Sequence, residues 1–413
     1  MKVIVAGGGI GGLAAALSLH AAGITDVLVL EAVPEPAPLG VGINLLPHAV
    51  RELTELGLVD RVAAIGVETA ELSYFTRFGQ RIWTEPRGLA VGYRWPQYSV
   101  HRGRLQMLLL AAVRERLGPG AVRTGARVTG FTQTAGGVVV AAGGAELRCD
   151  VLVGADGINA ATRALLAPDE GPPRWNGLVL WRGTTTMKPY LTGRSMIMAG
   201  DGVEKFVAYP ISGPDDRGDV LVNWIAERPV DRAGARGDWN RRVDVADVLA
   251  HFGDWAFDWL DVAGTIRAAH AAFEYPMVDR DPLPRWRDGR VTLLGDAAHA
   301  MYPIGSNGAS QAVLDARVLA HALATHGDVE EALDAYEDAR RPPTTAILEA
   351  NRRLGPEIVI KLAHDRAPGG FDDVDRVLPM AERAAIALRY KQTAGFAPEL
   401  LNERASYSVL PVP

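Results

Sequence analysis

The sequence predicts an α/β chain in which a parallel-sheet unit is interrupted by an antiparallel sheet and followed by a helical segment. Three observations carry this expectation. A strand, a glycine-rich turn, a helix and a second strand succeed one another within residues 2–31. Strand-length runs with period-two alternation fill the stretch from Trp175 to about Tyr275. Beyond Arg341-Pro342 the texture is mostly helical.

Taken in order, Lys2-Val-Ile-Val-Ala6 is a short apolar strand, Gly7 to Gly12 a tight turn, and Leu13 to Ala22 a helix rich in alanine and leucine. Gly23 sits where a helix-terminating glycine is expected. Val27-Leu-Val-Leu30 then closes a βαβ unit, which implies parallel strands joined by a right-handed crossover. A proline-bounded loop leads to a helix from Gly103 to Leu117, and a strand pair with a glycine turn occupies Val128 to Cys149. Asp150-Val-Leu-Val-Gly154 reads as another buried parallel strand. The runs Leu178–Arg182, Met196–Ala199, Phe206–Tyr209 and Val220–Trp224, separated by Gly/Pro/Asp clusters, predict an inserted antiparallel sheet with one covered face. Arg290 to Gly295 returns to the buried-strand pattern, Asn307 to Ala324 is an amphipathic helix, and Pro368-Gly-Gly370 is a turn. The expected division is a discontinuous first domain (1–75, 101–174 and 285–342), a second domain (76–100 and 175–284) and a helical region (343–413).

Composition narrows the function. With 43 Lys+Arg against 49 Asp+Glu among 413 residues, the net charge is −6, and no basic block offers a footprint for nucleic acid. Cys149 is the sole cysteine, which excludes an intramolecular disulfide, a cysteine-rich zinc site and an iron–sulfur cluster and fits a reducing cytoplasm. The nine histidines include no HxxxH pair enclosing a glutamate, so no metal is expected. Lys2 followed by Val3–Ile24, a stretch without Asp, Glu, Lys or Arg, imitates a signal peptide, but the glycines between Gly7 and Gly12 interrupt its apolar helix. No apolar stretch reaches the roughly 20 residues that span a bilayer. Monomer and homodimer both stay open.

Chemistry enters with Gly7, Gly9 and Gly12. They form GxGxxG between a strand and a helix: the first permits the tight turn, the second admits a pyrophosphate, and the third lets helix pack on strand. Unpaired N–H groups at the helix start suit the anion. Glu31 follows nineteen residues after Gly12, where a carboxylate accepts from ribose hydroxyls. The unit is therefore Rossmann-like, and its spacing alone does not choose among NAD, NADP and FAD.

Further stretches make that choice. Gly40-Val-Gly-Ile-Asn44, His101-Arg-Gly-Arg-Leu105, Gly154-Ala-Asp-Gly157, Gly295-Asp-Ala-Ala-His299 and Pro303-Ile-Gly-Ser-Asn-Gly308 occur in this order. From residue 1 to about Pro342 the chain resembles the single-component FAD-dependent aromatic hydroxylases. Pro38–Asn44, Pro96–Gly103, Val207–Ser212, Tyr275–Pro284 and Tyr302–Gln311 are similar to the phenazine-hydroxylating members. The resemblance implies FAD as cofactor, and NADPH or NADH as a reductant that visits transiently, since no second GxGxxG is present. It further implies dioxygen and a planar aromatic as substrates. The oxygen atom would pass from a flavin C4a-hydroperoxide to the ring, with or without loss of a ring carboxylate. Related flavoenzymes epoxidise, reduce or inactivate polycyclic antibiotics, and a non-catalytic flavin- or ligand-binding protein is a further alternative.

Residue roles follow from the same resemblance. Gly7, Gly9, Ile10, Gly11 and Gly12 would meet the pyrophosphate, Glu31 and Ala32 the adenosine ribose region, and Val128 the adenine. Val41, Gly42 and Arg102 complete the cofactor set. Asp296 would hold the ribityl and pyrophosphate region, and Gly305, Asn307 and Gly308 would lie along the isoalloxazine. Asp156 and Arg163 would support the flavin site and the approach of the nicotinamide, against a plainer role as helix cap and surface ion pair. Trp181, Tyr209 and Trp224, aromatics on strands of the second domain, are candidates for substrate contact weighed against plain core, and Leu46 and Pro303 join them in the expected substrate wall. His48 is a candidate base, weighed against a structural histidine, and His299 reads as structural. Some pyridine-hydroxylating relatives carry a histidine that acts as base where this chain has Asn44, which counts against that substrate class.

Overall fold

The computed structural model describes residues 1–231 and 241–409. Lys2–Ala6 lies inside a six-stranded sheet, parallel to Asp26–Leu30 on one side and to Val151–Gly154 on the other. Val291–Leu293 extends the parallel series, and Arg287–Asp288 pairs antiparallel at the edge. Strands buried on both faces need no alternation, which is why these segments read as continuous apolar runs. Helices Ile10–Ala21, Arg102–Leu117 and Gly308–Thr325 share a core with one face of this sheet. A meander of three strands, Val128–Thr134, Gly137–Ala142 and Ala145–Cys149, covers the other face where a pair was expected. The first helix opens at Ile10, three residues earlier than its composition suggested, because Gly9 ends the turn in extended conformation as the N-cap.

The second layer is an eight-stranded sheet ordered Arg241–Val243, Ala272–Asp279, Arg174–Met187, Val220–Pro229, Lys205–Pro210, Ser195–Gly200, Glu71–Thr76 and Arg81–Pro86. It is antiparallel except where Ser195–Gly200 runs parallel to Glu71–Thr76. Its first strand thus opens at Glu71, ahead of the boundary at 76 drawn from sequence. Register decides what each face carries. Leu180 and Arg182 share a face with Ile225 and Glu227, with Lys205, Val207 and Tyr209, and with Met196 and Met198. Trp181, Phe206 and Trp224 occupy the opposite face, against helices Val245–Phe252 and Val262–Arg267.

The helix Val329–Arg352 runs through Pro342 and Pro343, so the boundary drawn at 342 falls inside one element. Thr344 donates its hydroxyl to the Arg340 and Arg341 carbonyls at 2.8 and 3.1 Å, in a turn that has lost proline N–H donors. Helices Ile358–Arg366, Met380–Thr393 and Pro398–Glu403 follow, and Ile358–Arg366 packs on the eight-stranded sheet through Val359 and Ile360. Among the described residues no helix is long and apolar enough to cross a membrane.

Candidate active site

The glycine turn opens onto a cleft between the layers. A Cβ at Gly12 would collide with the Gly7 carbonyl, whereas a Cβ at Gly9 would meet nothing within 4 Å. The turn is therefore closed towards its own helix and open towards the cleft, the shape a pyrophosphate requires. Glu31 braces it: one carboxylate oxygen accepts the Gly8 N–H and the other the Val33 N–H, both at 2.7 Å. Gln106, which composition did not single out, donates to the Gly8 carbonyl at 2.8 Å.

Two cavities meet at Gly9, Arg102, Ala155 and Gly157. The first, of about 330 Å³, is lined by Gly7, Glu31, Ala32, Arg127, Val128 and Asp156 among others. The second, of about 360 Å³, runs from Ile10 and Gly11 past Gly42, Asp296 and Gly308 to Pro303, Tyr209 and the cavity face of the eight-stranded sheet. Together they form a long cleft with a helix N-terminus at its waist and an apolar chamber at one end. That shape and its donors fit an extended dinucleotide such as FAD, with room for an aromatic beyond it.

Most expected cofactor residues thus gather along one cleft, and several others are displaced. Val41 is buried behind the cleft, where its carbonyl accepts the Arg102 N–H at 2.9 Å. Gly305 and Asn307 do not line the cavity of about 360 Å³; Ser306 and Gly308 do. Gly305 donates its N–H to Glu357 at 3.2 Å, and the Asn307 amide turns to the Tyr390 hydroxyl at 2.9 Å. Asp156 accepts the Thr162 N–H at 3.1 Å at the start of helix Ala161–Leu166, and burial raises its carboxyl above the usual range. Arg163 makes no surface ion pair. It is buried, grips Glu170 with both ends of its fork, and donates to the carbonyls of Ala297, Ala298 and Asp281 at 3.0, 2.7 and 2.8 Å. It therefore fixes the turn that carries Asp296.

The substrate wall needs correction. Trp181 and Trp224 face away from the cavity, because strand alternation hands the cavity face to Leu180, Arg182, Asn223, Ile225 and Glu227. Trp181 donates to Glu274 at 3.0 Å and Trp224 to Thr185 at 3.1 Å, both in the opposite core. Leu46 lines a smaller neighbouring cavity that shares Met196, Met198 and Ser306 with the large one. Tyr209 and Pro303 line the cavity of about 360 Å³. His48 is not a base at this cavity. It is buried between Phe396, with ring centroids 5.2 Å apart, and the Gln311 amide at 3.4 Å. Burial first, then the charges of Arg404 and Arg340, lower its pKa to about 3, so the ring is neutral. His299 bonds Asp315 at 2.6 Å, a buried contact behind the Asp296 turn.

The register also brings in residues not foreseen. Arg182 lines the cavity and donates to the Gly42 carbonyl at 2.8 Å, while Asn223 accepts the Gly42 N–H at 2.8 Å. Arg182 Nε is buried without a hydrogen-bond partner, and among the described residues the guanidinium has no carboxylate partner. Lys205, Glu227 and Glu357 form a charged cluster on the same wall. The alternation of Arg182 with Trp181, and of Glu227 with Trp224, was the signal that could have found Arg182 and Glu227.

The FAD binding domain family matches residues 1–176 and 271–351, two segments flanking most of the eight-stranded sheet. The chain is 51% identical to the phenazine 1,6-dicarboxylic acid hydroxylase PhzS of Lysobacter antibioticus, over 85% of this chain and 89% of that protein. The chain belongs to the FAD-binding aromatic hydroxylases. A salicylate hydroxylase of Pseudomonas putida is 30% identical over 86% of this chain and 85% of its own length. Among solved structures, Klebsiella pneumoniae HpxO complexed with FAD and uric acid superposes with a TM-score of 0.78 at 27% identity, covering 97% of this chain and 98% of that one. This flavoenzyme is an FAD-dependent aromatic monooxygenase that draws its electrons from NAD(P)H.

Proposed function

We propose that this flavoenzyme hydroxylates a phenazine carboxylate, with or without loss of the carboxylate as carbon dioxide. The observation that carries the reading is the 51% identity to a phenazine 1,6-dicarboxylic acid hydroxylase across most of both chains. The cavity supports it: Leu180, Met196, Met198, Val207 and Ile225 offer apolar walls for a flat ring system, and Arg182 offers a cation to its acidic substituent. When bound, FAD supplies the redox chemistry, accepting two electrons from NAD(P)H and delivering one oxygen atom of dioxygen to the ring.

The chain's own residues do the rest. The N–H groups of Ile10, Gly11 and Gly12 would hold the pyrophosphate, Glu31 and Ala32 the adenosine ribose region, and Val128 the adenine. Arg102 and Asp296 would flank the cofactor's middle, and Ser306 and Gly308 would border the flavin ring. Tyr209, Pro303 and the apolar wall would orient the aromatic and keep water from it.

The test is NAD(P)H oxidation by the purified holoenzyme with and without phenazine-1-carboxylate and phenazine-1,6-dicarboxylate, with product mass measured under ¹⁸O₂. Strong stimulation and one labelled oxygen in the product are expected. A yellow protein whose oxidation rate ignores both compounds overturns the phenazine assignment.

A further inference from the structure

Lys205 and Glu227 stand directly opposite each other on neighbouring strands of the cavity sheet, with ammonium and carboxylate 2.9 Å apart. Glu357, from the turn Gly355–Glu357, brings a second carboxylate to the same ammonium. All three line the cavity of about 360 Å³ between the layers. Two carboxylates around one ammonium leave a negative charge in excess. Burial raises the Glu227 carboxyl above the usual range; Lys205 opposes that shift and Glu357 adds to it.

Glu227 also borders a second space. Together with Tyr302 and Ile304, it forms part of the wall of an outer cavity of about 420 Å³, which extends to the exposed residues Arg174 and Asn176. The groups facing it are Lys205 from the adjacent strand, Glu357 and Tyr302 from the inner side, and Arg174 and Arg352 across the outer cavity. Both arginines are committed to acids, Arg174 to Asp281 and Arg352 to Asp279 and Asp281. Glu227 is thus a buried carboxyl standing in the partition between the reaction chamber and a space open to the surface.

Hydroxylation needs such a partition. One aromatic C–H, dioxygen, NAD(P)H and one proton give the hydroxylated ring, water and NAD(P)⁺, so each turnover draws a proton from solvent into a chamber that must otherwise exclude water. We propose that Glu227 carries this proton from the outer cavity to the reaction chamber, with Lys205 and Glu357 as positioning residues. A proton from water in the outer cavity adds to the Glu227 carboxylate, and Glu227 then releases it to the oxygen atom that leaves as water. The ammonium of Lys205 holds the carboxylate in place between transfers. The inference rests on the monooxygenase reading.

The experiment compares the FAD-loaded native enzyme with Glu227→Gln, which keeps size and a hydrogen bond to Lys205 but carries no titrating proton. Phenazine-1-carboxylate binding is followed by calorimetry in two buffers of different ionisation enthalpy, and product and peroxide are counted per NAD(P)H. Binding-linked proton exchange should vanish in the variant, product per NAD(P)H should fall at least about tenfold with a matching rise in peroxide, and Glu227→Asp should restore part of both. Native proton exchange together with native product yield in Glu227→Gln overturns the proposal. Should Glu227→Gln lose FAD, Lys205→Met serves instead: the pH above which product yield declines should move up, and an unmoved profile counts against Glu227. A native enzyme indifferent to phenazines would sink the substrate assignment alone, with proton exchange then measured on whichever aromatic stimulates it.

Discussion

Gly42 concentrates much of the site's logic in one residue. Its N–H and carbonyl are both claimed by the eight-stranded sheet, through Asn223 and Arg182. A Cβ placed there would stand 2.7 Å from both the Asn223 Cβ and the Tyr209 ring. Gly42→Ala should therefore push the loop off the sheet at a cost of about 1–3 kcal/mol, seen as a lower melting temperature and weaker FAD retention in gel filtration. Unchanged retention would mean that the loop's seat is irrelevant to the cofactor. Arg182 makes a second residue-scale case. A charge-assisted hydrogen bond is worth about 1.5–3 kcal/mol, so Arg182→Met should raise KM for phenazine-1-carboxylate by about ten- to a hundredfold while affecting unsubstituted phenazine far less. Equal effects on both compounds would remove Arg182 from substrate recognition. These residues also mark what was legible. Tyr209 and Pro303, both named from the sequence, line the cavity, but aromatic character also drew attention to Trp181 and Trp224, which the pleat turns into the opposite core. Their polar neighbours Arg182 and Glu227 face the cavity.

At the scale of elements, the C-terminal helix Met380–Thr393 reaches back to the loop after Asp296. Tyr390 receives a hydrogen bond from the Asn307 amide at 2.9 Å and reaches Asn351 at 2.8 Å, and a Cβ at Gly305 would collide with its ring. The loop from Pro303 to Gly308 is thus shaped by Tyr390, more than eighty residues away in sequence. Tyr390→Phe leaves buried amides short of a partner and should destabilise the protein by about 1–3 kcal/mol. Its FAD should dissociate faster in a stopped-flow chase, whereas a stability loss with native FAD kinetics would confine Tyr390 to packing. The early strands and the glycine turn were readable because local pattern and tertiary role agree there. The helix Val329–Arg352 was not bounded correctly, because its packing on Gly308–Thr325 overrides the local cost of two prolines.

For the molecule as a whole, the two layers and the C-terminal helices are tied together by buried polar networks. The central one joins Asp315 to Arg340 at 2.7 Å, to His299 at 2.6 Å and to the Gly295 N–H at 3.0 Å. Burial alone would raise the Asp315 carboxyl, yet His299 and Arg340 outweigh it and lower the pKa to about 2. A carboxylate held below its unfolded value gives stability that is complete above about pH 4 and is lost as pH falls towards 2, on the order of 2 kcal/mol. Asp315→Asn should accordingly flatten the acid limb of the stability profile and lower stability at pH 7 by about 3–5 kcal/mol, as read by urea titration at several pH values. An acid limb identical in both proteins would detach Asp315 from the pH response.

The sequence by itself determined the nucleotide-binding unit and the presence of a second, antiparallel sheet, and its resemblance to the aromatic hydroxylases indicated the cofactor. Turn glycines, buried-strand runs and the acid after the second strand act through local geometry, which spacing records. Only the tertiary structure decided which side chains line the cavity between the layers. Lys205, Glu227 and Glu357 come from two strands and a distant turn, and they become one site because strand register and the packing of the C-terminal segment bring them together. No linear pattern records a charge balance among residues 205, 227 and 357, because the balance exists only where burial removes water from all three at once.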